Sequence, residues 1–140
     1  MDLDALETSF DLVAPKGDEL VRIFYADLFA VAPSVKPMFE GADMPRQRAM
    51  LLSALVLLRK SLRDLEPVVP TLKRLGARHV GYGARPEHYP VVGEVLIGAM
   101  AQVAGDAWEP RHAEAWGVAI GIVAGAMLEG AAEAELALAA

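Results

Sequence analysis

The chain contains no cysteine, which removes disulfide bonds, thiolate nucleophiles and thiolate-built zinc or iron–sulfur centres from the possible chemistries. Histidine is nearly as scarce: only His79, His88 and His112 occur. No HExxH pair or His-rich cluster is present, so a zinc site made of side chains alone lacks its ligands. A Gly-Lys-Ser/Thr phosphate loop is missing too. Gly81-Tyr82-Gly83 followed by Pro86 is not the GxGxxG fingerprint, and it follows a helical segment rather than a strand. Alternating runs of β-branched residues bounded by turn residues are also absent, which leaves helices as the building material.

Positive charge is in deficit. Thirteen Lys and Arg face nineteen Asp and Glu, giving a net charge of -6, and the basic residues read as scattered rather than gathered into a stripe. No nucleic-acid partner is expected on that basis. The opening MDLDALETSF is acidic and lacks a basic stretch followed by an apolar run, so no secretory leader is expected and the cytoplasm is the expected location. The uncharged run from Trp116 to Leu128 is shorter than the roughly 20 apolar residues of a membrane span, and no membrane partner is expected. Its Gly117, Gly121 and Gly125, at i, i+4 and i+8, predict a buried helix that lets another helix or a flat ligand come close.

What the sequence does hold is apolar mass at helical spacing. Apolar residues make up 54% of 140, enough for one core or for the lining of a large buried ligand, and a single domain over 1–140 is expected. Leu20, Ile23, Phe24 and Leu28 fall on one helical face, as do Met50, Leu51, Ala54, Leu55 and Leu58. Turn and capping residues set the borders. Asp2 or Asp4 caps a first helix that ends before Pro15. A second helix runs from about Asp18 to Val31, and a short turn lies between Pro33 and Pro37. A long helix follows from Met44-Pro45 to about Leu65, then one over Val68 to Val80, one from Glu87 to about Ala104, and a last one from Pro110. The fold class is all-α, with about seven helices.

His79 lies near the end of the Val68–Val80 helix, before a glycine-rich turn. By position alone it is either a helix-end cation or a metal ligand. A porphyrin supplies four nitrogens and asks the protein for one imidazole, so a single histidine suffices for haem. Its surroundings favour that role. Tyr89 follows ten residues later inside His88-Tyr89-Pro90-Val91-Val92-Gly93, and Gln47 precedes it by 32 residues. Phe24 to Phe29, followed by Pro33 and Pro37-Met38-Phe39, completes the pattern. In these features the chain resembles single-domain bacterial haemoglobins and the globin domain of flavohaemoglobins.

The resemblance implies a globin fold around haem b, with His79 as the iron ligand of a five-coordinate centre. It implies a pocket lined by Met38, Phe39, Leu51, Arg78, Tyr89, Val92, Leu96, Ile120, Ala124 and Met127, with Arg78 placed to meet a propionate. Tyr25 and Gln47 would stand on the distal side and donate hydrogen bonds to a diatomic ligand. The family sets a glutamate from the last helix beside the proximal tyrosine, here Tyr89. Ala131 stands in that register, with Glu129 and Glu133 two residues to either side. The implied function is reversible binding of O2, with NO or CO as further ligands. The alternatives are an NO dioxygenase served by a separate reductase, and a haem-based sensor or interaction globin. A monomer or homodimer is expected.

Overall fold

The computed structural model describes residues 1–139. Among them six α-helices follow one another: α1 Leu3–Val13, α2 Gly17–Val31, α3 Met44–Ser61, α4 Val69–Gly81, α5 His88–Ala104 and α6 Pro110–Ala139. Short 3-10 helices occupy four of the connections, the longest being Pro33–Phe39. That segment accounts for the seventh helix expected from sequence. Prolines at its first position and at Pro37 withhold the amides a full α-helix would need.

Local chemistry fixes the helix starts. The Asp2 carboxylate accepts from the Ala5 amide at 3.0 Å and the Asp43 carboxylate from the Arg46 amide at 3.2 Å. The two histidines left over from the haem argument do related work. His88 Nδ1 accepts from the Arg85 amide and His112 Nδ1 from the Glu109 amide, each at 3.0 Å. Each histidine amide in turn donates to the carbonyl of that same residue. Helix α3 ends at Ser61, earlier than the Leu65 expected. The Ser61 hydroxyl donates back to the Leu57 carbonyl at 2.8 Å, and Pro67 lies in the following 3-10 turn.

The core is shared by α1, α2, α5 and the first half of α6. Trp116 lies at its centre, fully buried, and its indole N–H donates to the Ser9 hydroxyl at 2.8 Å. Ser9 passes a hydrogen bond on to the Ala5 carbonyl at 2.6 Å, so this buried polar pair is satisfied. Around it pack Phe10, Leu20, Phe24, Ala99 and Met100. Helices α3 and α4 contribute little. Leu55 is the one buried residue of α3, and Gly76 that of α4. Two half-covered walls result, and the candidate site lies on them.

Helix α4 packs chiefly against α6, and two glycines make this possible. A Cβ at Gly76 would run into the Met127 backbone, and one at Gly130 into the Lys73 backbone. The sequence pattern pointed to other glycines. Gly117, Gly121 and Gly125 face open space and meet no neighbouring helix, so the expected helix contact is corrected. Spacing marks a small-residue face, but only packing decides which face meets a neighbour. The run around them is also not buried throughout. Helix α6 is long and apolar enough to cross a membrane by length and composition, yet His112, Ala115, Trp116 and Ala119 hold one side of it in the core.

The contrast between the two sets of glycines is testable by thermal denaturation. Gly76→Ala should destabilise by about 3 kcal/mol, the upper part of the usual overpacking range. Gly121→Ala, in an open helix interior, should gain up to about 1 kcal/mol from helix propensity. Equal melting temperatures for the two variants would contradict the close α4–α6 contact.

Candidate haem site

On the α4 wall, His79 is half-buried in the last turns of the helix. Its Nδ1 lies 2.7 Å from the Leu75 carbonyl oxygen. A carbonyl can only accept, so Nδ1 carries the proton and donates. In the neutral ring Nε2 then keeps its lone pair, and it has no hydrogen-bond partner among the described residues. That is the tautomer a metal needs, held by the turn of helix beneath the ring. The Tyr82 ring lies edge-on to the imidazole at 5.4 Å between centroids. Leu75 was overlooked as a site residue. Its signal was available, because the carbonyl four residues before a helical side chain lies directly under it.

Tyr89 is half-buried, and burial pushes its hydroxyl above the ordinary tyrosine range. No carboxylate comes to it. Lys73 takes both nearby glutamates, with Nζ 3.2 Å from Glu133 and 3.7 Å from Glu129. Both carboxylates stay largely exposed, while Ala131 between them faces inward and is half-buried. Neither glutamate replaces the one the resemblance called for.

On the opposite wall, Tyr25 of α2 is 6% exposed, and its hydroxyl accepts from the Gln47 amide of α3 at 3.3 Å. The Tyr25 proton stays free to donate elsewhere. Burial pushes its pKa above the ordinary 10.0, while the Gln47 hydrogen bond and the nearby Arg48 charge pull the other way. The group is therefore neutral, and a donor, at ordinary pH. Phe39 packs edge-on to Tyr25 at 5.6 Å and to Phe29 at 5.3 Å. Met38 is 37% exposed, and its terminal methyl lies 4.0 Å from where a Gly83 Cβ would be. The Pro33–Phe39 corner thus meets the α4–α5 turn.

The globin family profile matches residues 22–127, which includes Tyr25, Gln47 and His79. The chain belongs to the globin family. Among curated relatives, the Bacillus anthracis flavohemoprotein is 32% identical over 133 residues, 94% of this chain and 33% of its own length. The Bacillus subtilis flavohemoprotein is 28% identical over 128 residues, 90% of this chain and 32% of its own. This globin spans about a third of the length of the curated relatives it matches. Among solved structures, a bacterial globin from Campylobacter jejuni superposes with a TM-score of 0.81 at 26% identity, covering 94% of both chains. An engineered carbene transferase from Rhodothermus marinus superposes at 0.89 with 22% identity, covering 99% of this chain and 96% of that one.

Globins bind haem, and the residues present here fit that group. An imidazole nitrogen without a hydrogen-bond partner stands on α4 and a neutral phenol on α2. Leu51, Ala124 and Met127 are only half-buried and Val92 is 36% exposed, so these apolar side chains are left without full cover by the protein. Ile120 lies against Gly93, with its methyl 3.1 Å from where a Cβ would be. Leu96 is buried in the main core. Arg78 is exposed and makes no ion pair among the described residues, which leaves it free for an anionic group. A surface hollow of about 410 Å³ by Pro15, Lys16, Asp18 and Arg22 lies elsewhere and carries charges of both signs.

The buried phenol has a pH signature. Below pH 10 folded and unfolded chains both hold the Tyr25 proton. Above that value the unfolded chain loses it first, so stability falls as pH rises towards the raised folded value. Thermal melts between about pH 9 and 11.5 should show a steep decline that Tyr25→Phe makes shallower. Tyr89 adds a smaller share of the same sign, because burial raises it too. An unchanged alkaline decline in Tyr25→Phe would place that hydroxyl in water.

Proposed function

We propose that this globin holds haem b through His79 Nε2 and reversibly binds a diatomic gas, O2 foremost and NO or CO as well. The carrying observation is the 2.7 Å hydrogen bond from His79 Nδ1 to the Leu75 carbonyl, which leaves Nε2 as the ring nitrogen without a hydrogen-bond partner. Haem supplies a ferrous iron that binds such gases and, in an enzymatic setting, exchanges electrons with them. The chain's own residues do the rest. The Leu75 carbonyl fixes the ring orientation. Tyr25 donates to a ligand that gathers partial negative charge, and Gln47 holds the phenol oxygen so that its proton points away. Phe39, Leu51 and Val92 exclude water, which strengthens that hydrogen bond. Arg78 meets a propionate.

Purified protein should show a Soret band, and His79→Ala should lose it or retain haem poorly; an unchanged spectrum would sink the ligand assignment. Tyr25→Phe should release O2 about tenfold to a hundredfold faster, as expected for losing one charge-assisted hydrogen bond of about 1.5–3 kcal/mol. Stopped-flow displacement of O2 by CO measures that rate, and no change would leave Tyr25 as packing.

A second reading, oxidation of NO to nitrate by O2 with a separate reductase restoring ferrous iron, draws on the same Tyr25 donor. It is the weaker of the two because Lys73 occupies Glu129 and Glu133. Without a carboxylate the proximal imidazole lacks a partner that would make it more basic. Sustained turnover of NO with a reductase supplied would reverse the order.

A further inference from the structure

The basic residues are segregated, although one by one along the chain they look scattered. From Met44 to Pro86, the stretch holding α3, α4 and the turn after it, nine Lys and Arg stand against two acidic residues, a local balance of about +7. The rest of the chain has four basic and seventeen acidic residues, a balance of about -13. Positive charge is thus concentrated on α3, α4 and the turn after them, and negative charge on the rest of the chain.

Part of that positive charge is spent internally. Arg59 pairs with Glu7 and Asp11, Arg63 with Glu7, and Lys73 with Glu129 and Glu133. Arg46, Lys60, Arg74, Arg78 and Arg85 are exposed, Arg48 is half-buried, and none of the six makes an ion pair among the described residues. Haem brings two propionates, so at least four of these cations would remain uncompensated. Glu40, Asp43 and Glu87 lie at the margins of the stretch and trim the field without reversing it.

We infer that the α3–α4 face is the docking surface for a soluble electron-donor protein that presents an acidic patch, which deepens the haem reading above and rests on it. Like charges elsewhere on the globin repel such a donor, and the positive face attracts it. Three of the free cations, Arg46, Arg48 and Lys60, lie on α3 and three, Arg74, Arg78 and Arg85, on α4 and the turn after it, so the encounter is oriented with these two helices, which flank the candidate haem site, towards the donor. A nucleic acid fits less well. A polyanion much larger than the Debye length of about 10 Å also meets the acidic remainder of the surface.

The test uses haem-loaded protein and reduced flavodoxin, an acidic one-electron flavoprotein, as the probe. Stopped-flow reduction of the ferric globin should slow about tenfold between roughly 20 and 200 mM salt, as steered association does. The variant Lys60→Glu/Arg74→Glu should lose about as much at low salt and show a flattened salt dependence. Its Soret band and its reduction by the neutral riboflavin radical should not change. Glu114→Lys, on an exposed position of α6, should leave the rate within about twofold. A Soret band with salt-independent reduction by flavodoxin would overturn the docking surface alone. Absence of the Soret band would overturn the haem reading and this inference together. Duplex DNA binding that the double variant abolishes, with flavodoxin reduction insensitive to it, would assign the face to a polyanion instead.

Discussion

The backbone contact between α4 and α6 is the constraint on which the haem site depends. Helix α4 buries almost nothing of its own, so large side chains cannot hold it in place. It stays because Gly76 and Gly130 let two helices meet backbone to backbone, with Lys73 clamped by Glu129 and Glu133 beside them. Exposed ion pairs of this kind are weak, so the close approach does most of the holding. His79 lies one turn beyond Gly76, and its placement follows from that of the helix.

The same contact shapes the chemistry. Lys73 is the residue whose backbone meets Gly130, and its side chain draws both glutamates of the neighbouring turns outward. Ala131, between them, is half-buried. The feature that fastens the helix therefore also denies the imidazole a carboxylate. Its remaining polar partner is a backbone carbonyl, a neutral acceptor, which suits reversible ligand binding better than electron push. On the distal wall, a tyrosine from α2 and a glutamine from α3 meet across 22 residues of chain. Aromatic rings around the tyrosine keep its hydroxyl neutral by excluding water.

The two thinly buried helices also carry the free positive charge. A helix that gives few side chains to the core has a wide exposed face, and here arginine and lysine occupy it on both walls. Gas binding asks for a dry interior, while re-reduction asks for a charged exterior close to it. Helices α3 and α4 carry both half-buried apolar residues, among them Leu51 and Leu75, and exposed basic ones, among them Lys60 and Arg74.

Much of this was written in the sequence. Period-3.6 spacing located the helices, Asp2 and Asp43 were legible as caps, and the distances from Gln47 to His79 and from His79 to Tyr89 singled out one histidine of three. Those features are local or depend on register along the chain, which the sequence records directly. What tertiary structure alone decided was which of several equivalent faces found a partner. Gly117, Gly121 and Gly125 have the helix-packing spacing, yet Gly76 and Gly130 do the packing. Glu129 and Glu133 stood near the proximal tyrosine by register, yet a lysine sixty residues from Glu133 in the chain claimed both. Periodicity fixes the direction in which a side chain leaves its helix. Whether another helix, a counter-ion, a ligand or water waits there depends on how separate segments assemble.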